Sequence, residues 1–405
     1  MRILFVTHYY PYPPNDGGRI GYFNPLKYLS RKNEMFLASL LGPGDHEYAG
    51  RMRQFCADEL TYVHGGSNYW RLIRGMIGSR PGAAAKYYDP AFGSKLRAFA
   101  QRCKPDVIEL QHLNTAAYLP WVSDIAPVIL REHNVEYKVW ERHAEHAKGP
   151  ERLYVGMVAP RVRKYEADAA RQFARCITVS QADERYLLDV APEAEVLTIP
   201  SGVDAEYFTP GDSAEDPFSM VITGSFSWQP KQHNLRILMS RIFPRIRQRI
   251  PQATLTVVGK GVPEHLMRLG CELGVTITGP VEDVRPYVHR AGLFLNYLES
   301  GGGIALKVLE AMAMKKAVLS NELGVEGISL NRGEHVEVAD LDTFADAAVA
   351  LLESPERRSA LGSRAYDWAL RNYAWSSLAD RFQEVYEQVC SERREASTAG
   401  GLVRV

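Results

Sequence analysis

The chain carries no excess of either charge: its 405 residues hold 48 lysines and arginines against 48 aspartates and glutamates. A dedicated nucleic-acid binder keeps a clear basic surplus, so no nucleic acid is expected as a partner. Cysteine is scarce. Cys56, Cys103, Cys176, Cys271 and Cys390 are odd in number, far apart and without metal-ligand spacing. That pattern excludes a disulfide framework and a zinc motif and fits free thiols in a reducing cytoplasm. No apolar run approaches the ~18 residues of a membrane span. The opening MRILFVTHYYPYPP has too short an apolar stretch for a secretory signal and reads as a buried first strand. Short-period repeats, low-complexity tracts, Walker phosphate loops, serine-nucleophile elbows and paired-carboxylate motifs are also missing. Asp106 and Glu109 flank strand residues, but nothing makes them a glycosidase pair. The expectation is a cytoplasmic protein of two or three domains, touching membranes at most from the inner face.

What is present is an alternation of short apolar runs and helical periodicity. Arg2–Thr7, Met35–Leu41, Val107–Leu110, Val128–Leu130 and Ile177–Val179 read as strands of a first parallel sheet. Helices are expected from about Arg19 to Arg31 and through Glu151–Ala174. A polar stretch, Thr209–Pro217, looks like a linker. A second series follows: strands at Ser219–Thr223, Thr254–Val258, Val275–Thr278, Leu293–Leu298, Ala317–Ser320 and Val336–Ala339, with helices between them. After Asp342 the rest is helical to about Arg394, ending in a frayed tail. The fold class is α/β, with two tandem doubly wound domains facing each other across a cleft. The boundaries are 1–208, 209–374, and a C-terminal helix at 375–405 crossing back toward the first domain.

Ligands of such sheets bind beyond the carboxyl ends of the strands. The polar residues His8, Gly17–Gly18, Gln111–His112 and Glu132–His133–Asn134 all fall there in the first domain. His133, directly after a buried strand, is the candidate acid, base or hydrogen-bond partner, with His112 its competitor. In the second domain, the stretch ESGGGIALKVLEAMAMKKAVLSN joins a strand to a helix through Gly301, Gly302 and Gly303. A helix beginning at Ile304 aims unpaired N–H groups and a positive end at one point, which suits a phosphate. Lys307 and Glu310 share one helix face. Lys231 and Lys260, each in a loop after a strand, are further candidates for holding phosphate. The segment Tyr69–Ile77 has an apolar face that could rest on a membrane or hold a lipid-linked acceptor.

The stretch LESGGGIALKVLEAMAMKKAVLSNELGVEG resembles the donor-site signature of family 4 glycosyltransferases of the GT-B fold. MRILFVTHYYPYPPNDGGRI, REHNVEYKVWER, IPSGVDAEYF, VITGSFSWQPK, TVVGKG and TGPVEDVRPYV are similar to further blocks of that family. The likeness is greatest to sugar transferases of exopolysaccharide systems. It implies retaining transfer of a sugar from a nucleotide-diphosphate donor to a glycan or lipid-linked acceptor, without a cofactor or required metal. Glu310 matches the family's ribose-binding glutamate, Lys231 its phosphate-binding lysine and His133 the histidine touching the transferred sugar. Gly17 and Gly18 match the loop beside the diphosphate. Two positions depart: Gly302 stands where a first glutamate is expected, and Ser225 where an arginine is expected. The amides of Gly302, Gly303 and Ile304, with Lys307 or Lys260, are expected to compensate. Two other readings stay open, a nucleotide-sugar epimerase and a catalytically silent subunit that binds a partner transferase.

Overall fold

The computed structural model describes residues 1–64, 80–147, 149–212, 214–299 and 304–401. The chain divides into two compact units, Met1–Pro200 with Leu378–Val405, and Ser201–Ser377. In the first, continuous apolar runs give strands β1 (Arg2–Thr7), β2 (Glu34–Leu41), β4 (Val107–Gln111), β5 (Val128–Arg131), β6 (Arg175–Thr178) and β7 (Val196–Thr198). An unanticipated strand, β3 (Asp58–Val63), lies at the sheet edge. Its sequence, DELTYV, is mostly polar and only half-buried, so it lacks the signature of a covered strand. The order is β3-β2-β1-β4-β5-β6-β7 and the strand pairs are parallel.

Helix α1 (Gly17–Leu29) starts two residues before its expected position, because Asp16 caps it by accepting a hydrogen bond from the Arg19 amide. From Leu378 the C-terminal chain packs on the first unit, burying Phe382, Tyr386 and Val389. Arg175 donates to Glu392 at 2.6 Å and Lys32 to Asp380 at 2.6 Å. The expected tail is instead helical as far as Gly401. Ser391 to Glu395 and Thr398 to Arg394 are linked one turn apart, consistent with the helix-forming character of SERREA.

The second unit holds β8 (Asp216–Thr223), β9 (Thr254–Val258), β10 (Thr276–Ile277), β11 (Ala291–Asn296), β12 (Val318–Ser320) and β13 (Glu337–Val338), ordered β10-β9-β8-β11-β12-β13. The expected linker overlaps this sheet: Asp216 and Pro217 already belong to β8. Pro217 is tolerable at the start of this central strand, since its missing N–H falls before the paired ladder residues of β8 with β9. Helix α2 (Gln229–Ile237) opens with Pro230 in its first turn, where a proline is well suited. In both sheets strand order reverses beside the first strand of the unit, between β1 and β4 and between β8 and β11. Those are the switch points at which an open α/β sheet leaves a crevice for ligand.

Candidate functional site

At the second switch point, two loops and two helices converge. Gly259, at φ +144°, lies so close to the loop after β8 that a Cβ there would stand 1.7 Å from the Gly224 carbonyl oxygen. The Phe226 amide donates to the Lys260 carbonyl at 2.8 Å, and the Gln232 side chain donates to the Phe226 carbonyl at 2.9 Å. The loops after β8 and β9 are thus locked to each other and to α2. Buried Asn234 on α2 accepts from the Glu299 amide at 2.9 Å. Asn321 accepts from the Leu298 amide and donates to its carbonyl at 3.1 and 2.6 Å. The chain leaving β11 is therefore fixed on both sides as far as Glu299. Gly301, Gly302 and Gly303 lie outside the described residues, as does the segment 69–77.

Helix α3 (Leu306–Ala313) starts two residues later than expected. Ile304 precedes it with its carbonyl accepting from the Leu306 amide at 3.0 Å. Lys307 and Glu310, both half-buried, face the same space. Burial, with the charge of Lys231 added, brings the Lys307 ammonium down to about 8, against the opposing pull of Glu310. Burial raises the Glu310 carboxyl to about 7, against the pull of Lys307. Lys307 therefore feels both Lys231 and Glu310. Lys260 is exposed and is not among the charges acting on Lys307; it takes part through its backbone. Ser225 is half-buried in the same loop.

At the first switch point a second cluster forms within the first unit. The His8 and His112 rings lie 4.8 Å apart, and Tyr22 stands edge-on to His133 at 4.7 Å. His8 Nδ1 and the Tyr22 hydroxyl are 3.1 Å apart. His112 has φ +77°; its Nδ1 accepts from the Asn114 amide, and its Nε2 lies 3.2 Å from Glu136. A non-glycine residue held in that region is a local strain that its surroundings must fix. Helix α1 reaches this cluster through glycine. A Cβ at Gly21 would stand 2.9 Å from His133 Nδ1, and one at Gly18 would stand 1.7 Å from the Tyr9 hydroxyl. Gly17, by contrast, meets nothing within 4 Å. Burial, with the neighbouring charges of Arg131, His112 and His8, pushes the His133 imidazole well below its ordinary range, so it is neutral at pH 7.

Sequence reasoning missed the partners of His133. Its Nε2 donates to Gln111 Oε1 at 2.8 Å, the Gln111 amide donates to Glu109, and the Tyr386 hydroxyl donates to the other Glu109 oxygen. Gln111 extends β4 one residue past its expected end, so it shares a face with Glu109. Tyr386 lies 277 residues from Glu109, and no local pattern could pair them. Among the described residues, no group of three or more His, Cys, Asp or Glu side chains could hold a metal ion. No described helix is long and apolar enough to cross a membrane.

Each of the two doubly wound units carries a polar cluster at its switch point. Residues 53–207 match the family model Glycosyltransferase Family 4, and residues 217–354 match Glycosyl transferases group 1. The chain belongs to the glycosyltransferases of the GT-B fold. It is 28% identical over 240 residues to the GDP-mannose-dependent alpha-(1-6)-phosphatidylinositol monomannoside mannosyltransferase of Mycolicibacterium smegmatis, spanning 53% of this chain and 61% of that protein. It is 21% identical over 388 residues to an uncharacterized 44.6 kDa protein in the cps region of Klebsiella pneumoniae, spanning 92% of this chain and 96% of that one. Among solved structures, Anabaena Alr3699/HepE in complex with UDP superposes with a TM-score of 0.68 at 15% identity, covering 96% of this chain and 100% of that one. TarM gives 0.68 at 10% identity, covering 95% and 98%. These likenesses show the fold.

Proposed function

We propose that the chain transfers a sugar, with retention, from a nucleotide-diphosphate donor to a glycan or lipid-linked acceptor in exopolysaccharide biosynthesis. The observation that carries the reading is the convergence of Lys231, Lys307 and Glu310 at the switch point of the second sheet. Glu310 accepts hydrogen bonds from the donor ribose, as carboxylates do in dinucleotide sites. Lys231 and Lys307 meet the charge that develops on the leaving diphosphate, together with the amides that open α3. The pair of lysines takes over the role that Ser225 and Gly302 leave unfilled. His133 contacts the transferred sugar, with Gly17 and Gly18 at the turn into α1. A lipid-linked acceptor is supported by the phosphatidylinositol named for the Mycolicibacterium relative, and a role in polysaccharide assembly by the cps-region protein.

The test is a transfer assay over a panel of nucleotide sugars and membrane-extracted acceptors. Transfer is expected only when acceptor is present. His133→Ala is expected to lower turnover by about 100-fold or more, the range of a lost acid–base or orienting group. Interconversion of a nucleotide sugar without any acceptor would instead indicate an epimerase.

A further inference from the structure

A histidine that touches a reacting sugar must present the correct nitrogen, and the first unit contains the means to set it. Glu109 and Gln111, two apart on β4, project to one side of the sheet and are both wholly buried. Glu109 accepts at one oxygen from the Tyr386 hydroxyl of the C-terminal helix and at the other from the Gln111 amide nitrogen, each at 2.5 Å. A carboxylate can only accept, so it orients the Gln111 amide with its carbonyl toward His133. That carbonyl can also only accept. His133 Nε2, 2.8 Å away, must therefore carry the proton. The neutral ring then keeps its lone pair on Nδ1, on the edge that any side chain at residue 21 would cover and that glycine leaves clear.

We propose that Glu109, Gln111 and Tyr386 are positioning residues that hold His133 in its Nε2-protonated tautomer, with Nδ1 as the acceptor offered to substrate. The proposal rests on the reading of His133 as the sugar contact. The groups facing the relay are Arg131 and Tyr386 around Glu109, and Arg131, His112, His8 and Tyr22 around His133. Arg131 also lies over the Phe382 ring at 4.6 Å. Burial raises the Glu109 carboxyl to about 6, against the pull of Arg131, Tyr386 and Gln111. Below that pH the carboxyl gains one O–H donor. With that proton on the oxygen facing Gln111, the amide turns its carbonyl to Glu109 and its nitrogen to His133, and the ring switches to its Nδ1-protonated form. The acidic limb of activity therefore reports Glu109 rather than His133. Replacing Tyr386 by phenylalanine removes a donor to the ionised form and moves that limb upward by about one unit or more.

Nitrogen NMR of the full chain labelled with ¹⁵N-histidine, with His133→Asn to assign the resonances, reads the tautomer directly. At pH 7.5 the wild type is expected to show a protonated Nε2 and a bare Nδ1. Gln111→Met is expected to mix the tautomers, and Tyr386→Phe to start the switch at higher pH. A wild-type ring protonated on Nδ1 at pH 7.5, or an unchanged tautomer in folded Gln111→Met, would overturn the relay. The wild-type spectrum decides even if a variant fails to fold. If the tautomers behave as expected while His133→Asn transfers sugar at the wild-type rate, the relay stands and the proposed role of His133 falls.

Discussion

A lysine whose proton is lost near pH 8 is charged or neutral according to what lies beside it. Lys307 is lowered to that value by burial first and by Lys231 second, while Glu310 pulls the other way. A bound diphosphate favours the ammonium form, so binding above pH 8 must take up a proton. Nucleotide phosphates are fully ionised above about pH 7, since their second pKa is near 6, and they add no proton dependence there. Affinity for a nucleotide diphosphate should therefore fall as pH rises from 8 to 9, where an ordinary lysine would hold it level. Lys307→Met should bind about tenfold more weakly at pH 7, roughly 1.4 kcal/mol, and should lose that fall. Calorimetry across pH 7 to 9 checks both. At this scale Glu310, Lys307 and Lys231 were legible because their segments follow strands in order, although Lys231, expected in a loop, sits in the first turn of α2. The environment that retunes them was not, because desolvation depends on residues from separate elements. Gln111 was visible only as a polar residue at a strand end, and its link to Tyr386 needed the fold.

The elements hold these side chains by backbone approach rather than by long-range salt bridges. The loops after β8 and β9 touch at Gly224 and Gly259, and a side chain at Gly259 has neither the space nor the conformation. Gly259→Ala should cost at least about 2 kcal/mol, because its Cβ meets a backbone carbonyl at positive φ. Gly156→Ala is the contrast: that helical position is open, and alanine should add about 0.5–1 kcal/mol. Urea unfolding midpoints of the two variants test the pair. Most strands and helices could be read from apolar period and turn residues. The exceptions share one cause, namely that context outweighed local pattern. The β3 edge strand is polar, Asp216–Pro217 extends β8 where a linker was expected, and the tail continues as helix because SERREA forms helix well. The TVVGKG loop had suggested a phosphate lysine. In the structure Lys260 is exposed and serves through its carbonyl.

At the scale of the whole molecule, each unit repeats one arrangement: a doubly wound sheet with its polar residues gathered where strand order reverses. In the first unit the cluster is built of histidines and tyrosines, with His8 and His133 pushed toward the neutral form by burial, and suits hydroxyl-rich ligands. In the second it is built of two lysines and a carboxylate, suited to a diphosphate joined to a ribose. That division of chemistry is what the account depends on. The most direct test is calorimetric titration of the intact chain with UDP, GDP and ADP, alongside Glu310→Ala. One nucleotide diphosphate should bind the wild type, and Glu310→Ala should weaken it about tenfold or more, the effect of losing hydrogen bonds to a charged acceptor. Equal binding by wild type and Glu310→Ala, or no binding of any nucleotide diphosphate, would contradict the assignment of the second unit as the donor site.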